Sequence, residues 1–252
     1  MNGQPRRAMV LAAGLGTRLR PITDRTPKPL VAVGGRAMLD RALDQLESAG
    51  ITEAVVNVHH LADQIIAHCA ARPVPRVVIS DERDRLLDSA GGIVRALPLL
   101  GAAPFVLLNA DTFWLDPEAA ALKAMMAAFD PARMDMLLLV VGQGDAIGHS
   151  GSGDFVMDAG GRLARATGPA RADAPIYAGA AMVSPVLFAD APDSPHSLNL
   201  YFDRLIASGR LYGHRLHAPW ITVGTPDGLA EANAAMQRLE PGGATAEVTG
   251  EG

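Results

Sequence analysis

The sequence predicts an α/β fold with a Rossmann-like, mostly parallel sheet flanked by helices. Short β-like runs alternate with helical patterns over residues 8–141, and the connections between them are short. Such alternation is typical of βαβ units, whose crossovers place successive strands parallel. Two of the runs, Phe105–Asn109 and Met136–Val141, are continuously apolar, as expected for strands buried on both faces.

The individual elements follow from residue spacing and stop signals. Residues 38–49 place Leu39, Leu43 and Leu46 at helical spacing, and Gly50 is a natural helix stop. The strands predicted in the first half of the chain are 8–13, 54–58, 77–80, Phe105–Asn109 and Met136–Val141. The remaining helices predicted there are 61–71, 90–100 and 118–129.

The second half is less regular. A loop rich in Gly, Ser and Asp spans residues 142–153, and short alternating runs follow it. We interpret the runs 154–157, 162–167 and Ile176–Val183 as β-hairpins added to the sheet, which supply a second wall of a cleft. A helix at 198–207, a strand at Leu211–Leu216 and a helix at Pro226–Leu239, with proline in its first turn, complete the prediction. Residues 240–252 have the composition of a disordered tail.

Composition narrows the functional classes. The net charge of −5 gives no general attraction to nucleic acid, so any polyanion must be held by local basic residues. The single cysteine, Cys69, excludes an intrachain disulfide and a cysteine-cluster metal site. The apolar run 8–13 is too short for a signal peptide or a membrane span. We therefore expect a cytoplasmic protein, with no membrane or nucleic-acid partner, that is a monomer or a small homo-oligomer.

Topology alone predicts where a ligand binds. In open α/β sheets, ligands lie beyond the carboxyl ends of the strands. This rule predicts that the loops at 14–18, 80–88 and 110–112 are neighbours in space.

A glycine-rich loop, Gly14-Leu-Gly-Thr-Arg18, directly follows the first predicted strand. A Rossmann fingerprint would have its third glycine where Leu19 stands, and the chain contains no Walker A string. The remaining functional interpretation is a loop whose backbone N–H groups bind phosphates, assisted by Arg18 and Lys28. The structural alternative is a strand-to-helix turn with a solvated arginine.

The longer segment LAAGLGTRLRPITDRTPKPLVAVGGRAML, residues 11–39, resembles the signature of the sugar-1-phosphate nucleotidyltransferase family, which pairs G-x-G-T-R with P-K-P-L. Four further strings resemble the family in the expected order: NVHHLADQI at 57–65, LLDSAGGI at 86–93, LLNADTFW at 107–114 and WITVGTP at 220–226. The resemblance implies the nucleotide-diphospho-sugar transferase fold in one domain, 1–239. Within it, a nucleotide-binding half would span about 1–142 and a sugar-binding half about 143–239.

The resemblance also implies a reaction. A sugar-1-phosphate oxygen attacks the α-phosphorus of a nucleoside triphosphate with Mg²⁺ present, and pyrophosphate leaves without a covalent enzyme intermediate. Carried over position by position, the catalytic residues are Arg18, Lys28 and Asp111, with Asp111 also the metal ligand. The nucleotide-binding residues are Ala12, Ala13, Gly14, Gly16, Thr17, Arg18, Gly91 and Gly92, and the sugar-binding residues are Tyr177, Gly179 and Asn109.

Several of these positions have a structural alternative. Asp111 could cap the next turn, Gly91 and Gly92 could serve helix packing, and Tyr177 could be a packed strand residue. We interpret His59 and His60 as structural residues at a strand end, because an anionic phosphate nucleophile needs no general base.

Two departures from the family pattern affect the expected substrate and metal. Thr222 stands where many relatives have a metal-binding aspartate, and Ala166-Thr-Gly-Pro169 lacks the lysine of a sugar-phosphate motif. The short chain without that lysine resembles a small bacterial branch that uses UTP and N-acetylmuramate-1-phosphate in cell-wall recycling. The alternatives are a mannose-1-phosphate guanylyltransferase, a glucose-1-phosphate nucleotidyltransferase and, in view of Thr222, a non-catalytic nucleotide-sugar-binding protein.

Overall fold

A computed structural model describes residues 5–239 of the 252-residue chain. The predicted tail at 240–252 lies outside the described residues. In chain order the elements are β1 Arg7–Leu11, β2 Ala32–Val33, β3 Arg36–Ala37, α1 Met38–Ser48, β4 Glu53–Val58, α2 Ala62–Ala70, β5 Arg76–Asp81, α3 Asp88–Leu100, β6 Phe105–Asn109, β7 Thr112–Trp114, α4 Ala120–Ala128, β8 Met136–Val141, β9 Ala146–Ile147, β10 Phe155–Met157, β11 Leu163–Arg165, β12 Ile176–Val183, α5 Asn199–Ala207, β13 Leu211–Leu216, β14 Trp220–Thr222 and α6 Pro226–Leu239.

Seven strands form the central sheet, in the order β13-β8-β12-β6-β1-β4-β5. All are parallel except β12, which runs antiparallel to β6 and β8. The mostly parallel sheet predicted from the sequence is therefore confirmed. The sheet takes strands from both sides of residue 142, since β12 and β13 lie beside β6 and β8.

One predicted placement is correct only in part. We expected Ile176–Val183 to belong to hairpins added to the sheet, and the strand does join the sheet, but in its middle, as β12 between β6 and β8. Its nearly continuous apolar sequence, IYAGAAMV, is buried at seven of eight positions, which suits a strand covered on both faces. The runs near 154–157 and 162–167 do form a hairpin, the separate pair β10 and β11.

Helices cover both faces of the sheet. Alternate residues of β1 point to opposite sides, so that Ala8 and Val10 belong to one buried cluster and Met9 to the other. Apolar residues of α1, α2 and α4 pack in the first cluster, and those of α3 and α5 pack in the second. None of the helices in the described part of the chain is long and apolar enough to cross a membrane.

A small second sheet, not predicted from the sequence, lies next to the central one. Its strand order is β7-β14-β9, and Trp220 is directly opposite Trp114. A third apolar cluster joins this sheet to α6, through residues such as Ile221 and Met236. Strands of two or three residues are too short to show a periodic pattern, which explains why they were missed.

Candidate active site

A cavity of about 460 Å³ lies at the carboxyl ends of the parallel strands. It brings together the three loops that topology predicted to be neighbours. Its wall includes Leu11, Ala12, Ala13, Gly14, Lys28, Pro29, Asn57, Glu82, Leu86, Asp88, Ser89, Asn109, Ala110, Asp111 and Pro195.

Lys28 and Asp111 form an ion pair in the cavity wall. Nζ of Lys28 donates to Oδ2 of Asp111 over 2.6 Å, and the two side chains are 13% and 36% exposed. Lys28 opens a short 3₁₀ turn after an extended Pro27, and Asp111 lies two residues beyond β6. The structure thus joins two predicted catalytic residues that are 83 positions apart in the sequence.

The glycine-rich loop turns sharply after the cavity wall. Gly16 has a left-handed φ of 63°, and a Cβ there would lie 2.8 Å from Cγ2 of Thr23. The Thr23 hydroxyl also donates to the Gly16 carbonyl over 2.8 Å, which fixes the turn. Ala12, Ala13 and Gly14 line the cavity, whereas Gly16 and Thr17 lie beyond its wall.

Arg18 continues this loop as an exposed side chain. Its guanidinium lies beside Gly224, where an added Cβ would be 3.6 Å from Nη2. It makes no hydrogen bond or ion pair with any residue in the range 5–239. Arg18 therefore connects the loop to the segment after β14 and keeps its donors available for a ligand.

Two buried polar residues, not singled out from the sequence, hold the start of the loop. The N–H of Ala12 donates to Oδ1 of Asn57 over 2.7 Å, and Nδ2 of Asn57 donates to Oε1 of Glu82 over 2.7 Å. Glu82 is 0% exposed, and burial raises the pKa of its carboxyl. Its Oε2 has no hydrogen-bond partner within the described residues.

Neither Gly91 nor Gly92 is among the residues that line the cavity, and their role in nucleotide binding stays a prediction. A Cβ on Gly92 would lie 2.7 Å from Oε1 of Glu82, and one on Gly91 would lie 3.1 Å from the Ser194 carbonyl. Protein atoms thus leave no room for a side chain at either glycine unless the neighbours move. Both glycines permit close packing at the start of α3, where Asp88 and Ser89 line the cavity.

The segment that packs on Gly91 also closes one side of the cavity. The His196 carbonyl accepts the N–H groups of Ala90 and Gly91, and the Ser89 hydroxyl accepts the N–H of Leu198. The first N–H groups of α3 are thus bonded within the protein. Pro195 consequently contributes to the cavity wall.

The predicted sugar-side residues gather around Asp111. Asn109 lines the cavity, and Gly179 packs against it at a bulge of β12 with a φ of 77°. The hydroxyl of Tyr177 is buried without a partner among the described residues. Burial and the nearby charge of Asp111 raise the pKa of this phenol.

Thr222 lies at the edge of the predicted metal position. It is directly opposite Thr112 in the antiparallel pair of β7 and β14, and the N–H of Val223 donates to the Asp111 carbonyl over 3.2 Å. Residues 5–239 contain no group of three or more His, Cys, Asp or Glu side chains that could hold a metal. Oδ1 of Asp111 has no hydrogen-bond partner in this range, so this oxygen is available to a cation.

The histidines at the end of β4 bind main-chain carbonyls, as expected of structural residues. His59 donates from Nδ1 to the Glu82 carbonyl over 2.7 Å, and His60 donates from Nε2 to the Thr23 carbonyl over 2.8 Å. His149, which the sequence did not single out, packs against Trp220 with ring centroids 5.9 Å apart. Its Nε2 is buried and has no partner among residues 5–239.

The glycine-rich loop and the Lys28–Asp111 pair lie at the carboxyl edge of the sheet, where open α/β sheets bind their ligands, and comparison with known proteins shows the class to be the nucleotidyltransferases. The family model described as "MobA-like NTP transferase domain" matches residues 8–205, and the chain belongs to this family.

Individual relatives and a solved structure are similar to this chain. The chain is 42% identical to N-acetylmuramate alpha-1-phosphate uridylyltransferase of Caulobacter vibrioides over 240 residues, covering 94% of this chain and 99% of the relative. The protein of that name from Neisseria meningitidis serogroup B is 45% identical over 108 residues, which is 42% of this chain and 46% of the relative. HddC from Yersinia pseudotuberculosis, solved in complex with GMP-PN, superposes with a TM-score of 0.74 at 25% identity and covers 91% of this chain and 99% of its own.

Proposed function

We propose that the protein transfers the uridylyl group of UTP to N-acetylmuramate α-1-phosphate. The observation that carries this proposal is the 42% identity to a uridylyltransferase of that specificity over 94% of the chain. A phosphate oxygen of the sugar phosphate bonds to the α-phosphorus of UTP, the bond from that phosphorus to the bridging oxygen breaks, and pyrophosphate leaves. Because UTP is a cytoplasmic nucleotide, we place the reaction in the cytoplasm, as a step of cell-wall recycling.

The proposed mechanism relies on positioning and charge, since both reacting groups are anionic and no enzyme nucleophile is needed. Backbone groups of Ala12, Ala13 and Gly14 would hold the nucleotide along the cavity wall. Arg18 presents a planar set of donors that suits the transferring and leaving phosphates. Lys28 supplies a compact positive charge beside Asp111, where the attacking phosphate would lie.

The donor set fits Mg²⁺, which binds readily to one carboxylate when substrate phosphates and waters complete its shell. Asp111 would hold the ion through its free oxygen, and Thr222 precedes the residue whose N–H donates to the Asp111 carbonyl. When bound, Mg²⁺ neutralises phosphate charge in reactions of this type.

The sugar would lie on the other side of Asp111. The amide of Asn109, in the cavity wall, is suited to hydrogen bonds with sugar oxygens. The hydroxyl of Tyr177 is buried and unpartnered, and its surroundings would have to move for it to reach the sugar. Gly179 would act indirectly, because its missing side chain lets Asn109 and Thr112 approach β12.

Pyrophosphate release tests this assignment. Purified protein is incubated with Mg²⁺, each of the four nucleoside triphosphates and a panel of sugar-1-phosphates, with Asp111→Ala as the control for contaminating activity. We expect UTP with N-acetylmuramate α-1-phosphate to give the highest kcat/KM. Preference for GTP with mannose-1-phosphate would contradict the substrate assignment. Release with no pair, while nucleotide sugars still bind, would favour the non-catalytic binding protein that Thr222 suggests.

A further inference from the structure

The main-chain N–H of Ala12 marks the point where β1 ends and the glycine-rich loop begins. It donates to the side chain of Asn57, which belongs to β4, instead of to a neighbouring strand. Both groups line the 460 Å³ cavity. A single side-chain acceptor therefore fixes the direction in which the loop leaves the sheet.

Asn57 can serve as that acceptor in only one of its two amide orientations. An asparagine amide has an acceptor at one end and two donors at the other, and its neighbours decide which end points where. Glu82 accepts from Nδ2, so Oδ1 must face Ala12. Without the Glu82 carboxyl, the Asn57 amide could rotate by half a turn. Its NH₂ group would then face the Ala12 N–H, and no hydrogen bond could form between these two donors.

Glu82 is itself held by three elements. It follows β5, its own N–H donates to the Val58 carbonyl over 2.8 Å, and its carbonyl accepts from His59. In α3, Gly92 leaves the space for this contact, since a Cβ there would lie 2.7 Å from Oε1 of Glu82 and 2.8 Å from Nδ2 of Asn57.

This arrangement is unfavourable for stability alone. Glu82 is wholly buried, burial raises the pKa of its carboxyl against the opposing effect of the Asn57 amide and the Leu87 main chain, and Oε2 makes no well-aligned hydrogen bond in the described part of the chain. An unpaired buried polar atom disfavours the folded state. A role beside the cavity accounts for a residue that packing by itself would not favour.

We propose that Glu82 acts through Asn57 as a positioning residue for the nucleotide, by setting the start of the loop at residues 12–18. The inference rests on the proposed function only in that this loop binds UTP. The two side chains act in series, because Glu82 reaches the loop through Asn57.

The test measures UTP affinity and turnover in a set of variants. Asn57→Ala and Glu82→Ala should each raise Kd and KM for UTP about tenfold, the effect of losing one buried hydrogen bond. KM for the sugar phosphate should stay within about twofold. Glu82→Gln should recover most of the affinity lost in Glu82→Ala, because its amide oxygen accepts the same bond. Gly92→Ala, which is outside the cavity, should weaken UTP binding by pushing on both partners.

The double variant is the decisive measurement. Residues in series give non-additive effects, so Asn57→Ala with Glu82→Ala should bind UTP no more weakly than Asn57→Ala alone. Asp116→Ala is the matched control. Its carboxyl also has a burial-raised pKa and one unpartnered oxygen, but it does not line the cavity. It should lower Tm and leave Kd for UTP unchanged.

An affinity loss of about a hundredfold in the double variant would show independent effects and overturn the proposal. The proposal would also be overturned if Glu82→Gln raised Kd for UTP as much as Glu82→Ala does. A raised Kd for UTP in Asp116→Ala would overturn it as well. If Glu82→Ala does not fold, Kd for UTP is compared among the wild type, Glu82→Gln and Gly92→Ala instead. Calorimetric binding of UTP needs no turnover. A wild type that binds UTP without releasing pyrophosphate would therefore contradict the proposed function, while the variants would still decide the positioning role.

Discussion

Lys28 is the residue at which the glycine-rich loop meets the end of β6. Its charge lies 2.6 Å from Asp111 in the cavity wall, where phosphates would gather. We predict that Lys28→Met lowers kcat/KM about 100-fold, comparable to the loss of one aligned electrostatic donor at a reacting centre. Lys123→Met is the control, since Lys123 is the only other lysine and is exposed on α4. Pyrophosphate release measures both, and equal rates in the two variants would contradict the role given to Lys28.

Tyr177 carries a hydroxyl without an obvious structural use. Its oxygen is buried and unpartnered within the described residues, so removing it breaks no hydrogen bond. We therefore expect Tyr177→Phe to leave Tm unchanged or slightly higher, while KM for the sugar phosphate rises about tenfold. KM for UTP should not change. A fall in Tm with unaltered sugar affinity would indicate a packing role.

Thr222 decides how the proposed metal is held. It is opposite Thr112, and the next residue bonds to the Asp111 main chain. Thr222→Asp adds a carboxylate one residue from the main-chain contact with Asp111, so we expect the Mg²⁺ concentration for half-maximal activity to fall by about tenfold. Thr225→Asp is the control, because it adds the same charge at a helix cap, where Thr225 accepts the Gly228 N–H. It should leave the Mg²⁺ concentration for half-maximal activity unchanged. An unchanged Mg²⁺ dependence in Thr222→Asp would mean that this position does not face the ion.

At the residue scale, the sequence predicted positions that belong to contiguous motifs. Lys28 and Asp111 could each be assigned to the site in advance because each belongs to a string that resembles the family, although their ion pair was not predicted. Asn57 and Glu82 could not, because a contact between buried side chains 25 residues apart leaves no local pattern. For the same reason the contacts of Gly92 could not be predicted, since its neighbours Glu82 and Asn57 come from two other parts of the sheet. A buried polar residue at a strand end, as in NVHHLADQI, is the only signal that was available.

At the scale of the element, β12 depends on a glycine in a left-handed conformation. Gly179 has a φ of 77°, and a Cβ there would lie 2.4 Å from Oγ1 of Thr112. We predict that Gly179→Ala lowers the free energy of unfolding by about 3 kcal/mol, from backbone strain and steric overlap together. Gly50→Ala isolates the backbone contribution, because Gly50 has a φ of 84° and open space around it. Gly50→Ala should lower the free energy of unfolding by about 1 kcal/mol. Similar losses in denaturant titrations of the two variants would contradict the steric explanation.

Long, strongly patterned elements were predictable and short ones were not. The bounds of Phe105–Asn109, Met136–Val141 and Pro226–Leu239 agree with the structure, since continuous burial or a clear helical period marks them. β1 ends two residues earlier than predicted, because Ala12 bonds to a side chain instead of a strand. The position of β12 inside the sheet could not be inferred, since its pattern does not specify which neighbours it pairs with.

At the scale of the whole molecule, the two predicted halves share one sheet. β12 and β13, from the second half, lie on either side of β8, and β12 also pairs with β6. Cutting the chain near residue 142 would therefore separate paired strands. We infer that the nucleotide and sugar sides of the cavity unfold together.

This inference predicts coincident unfolding transitions. The only two tryptophans, Trp114 and Trp220, face each other in the small sheet, so their fluorescence reports that sheet, whereas far-UV circular dichroism reports mainly the helices. Urea titrations followed by both signals should give one midpoint, because strands from both halves are interleaved in the central sheet. Gly50→Ala, at the end of α1, should shift both curves equally. Separate midpoints, or a shift in only one signal, would show that residues 1–142 and 143–239 fold as independent units.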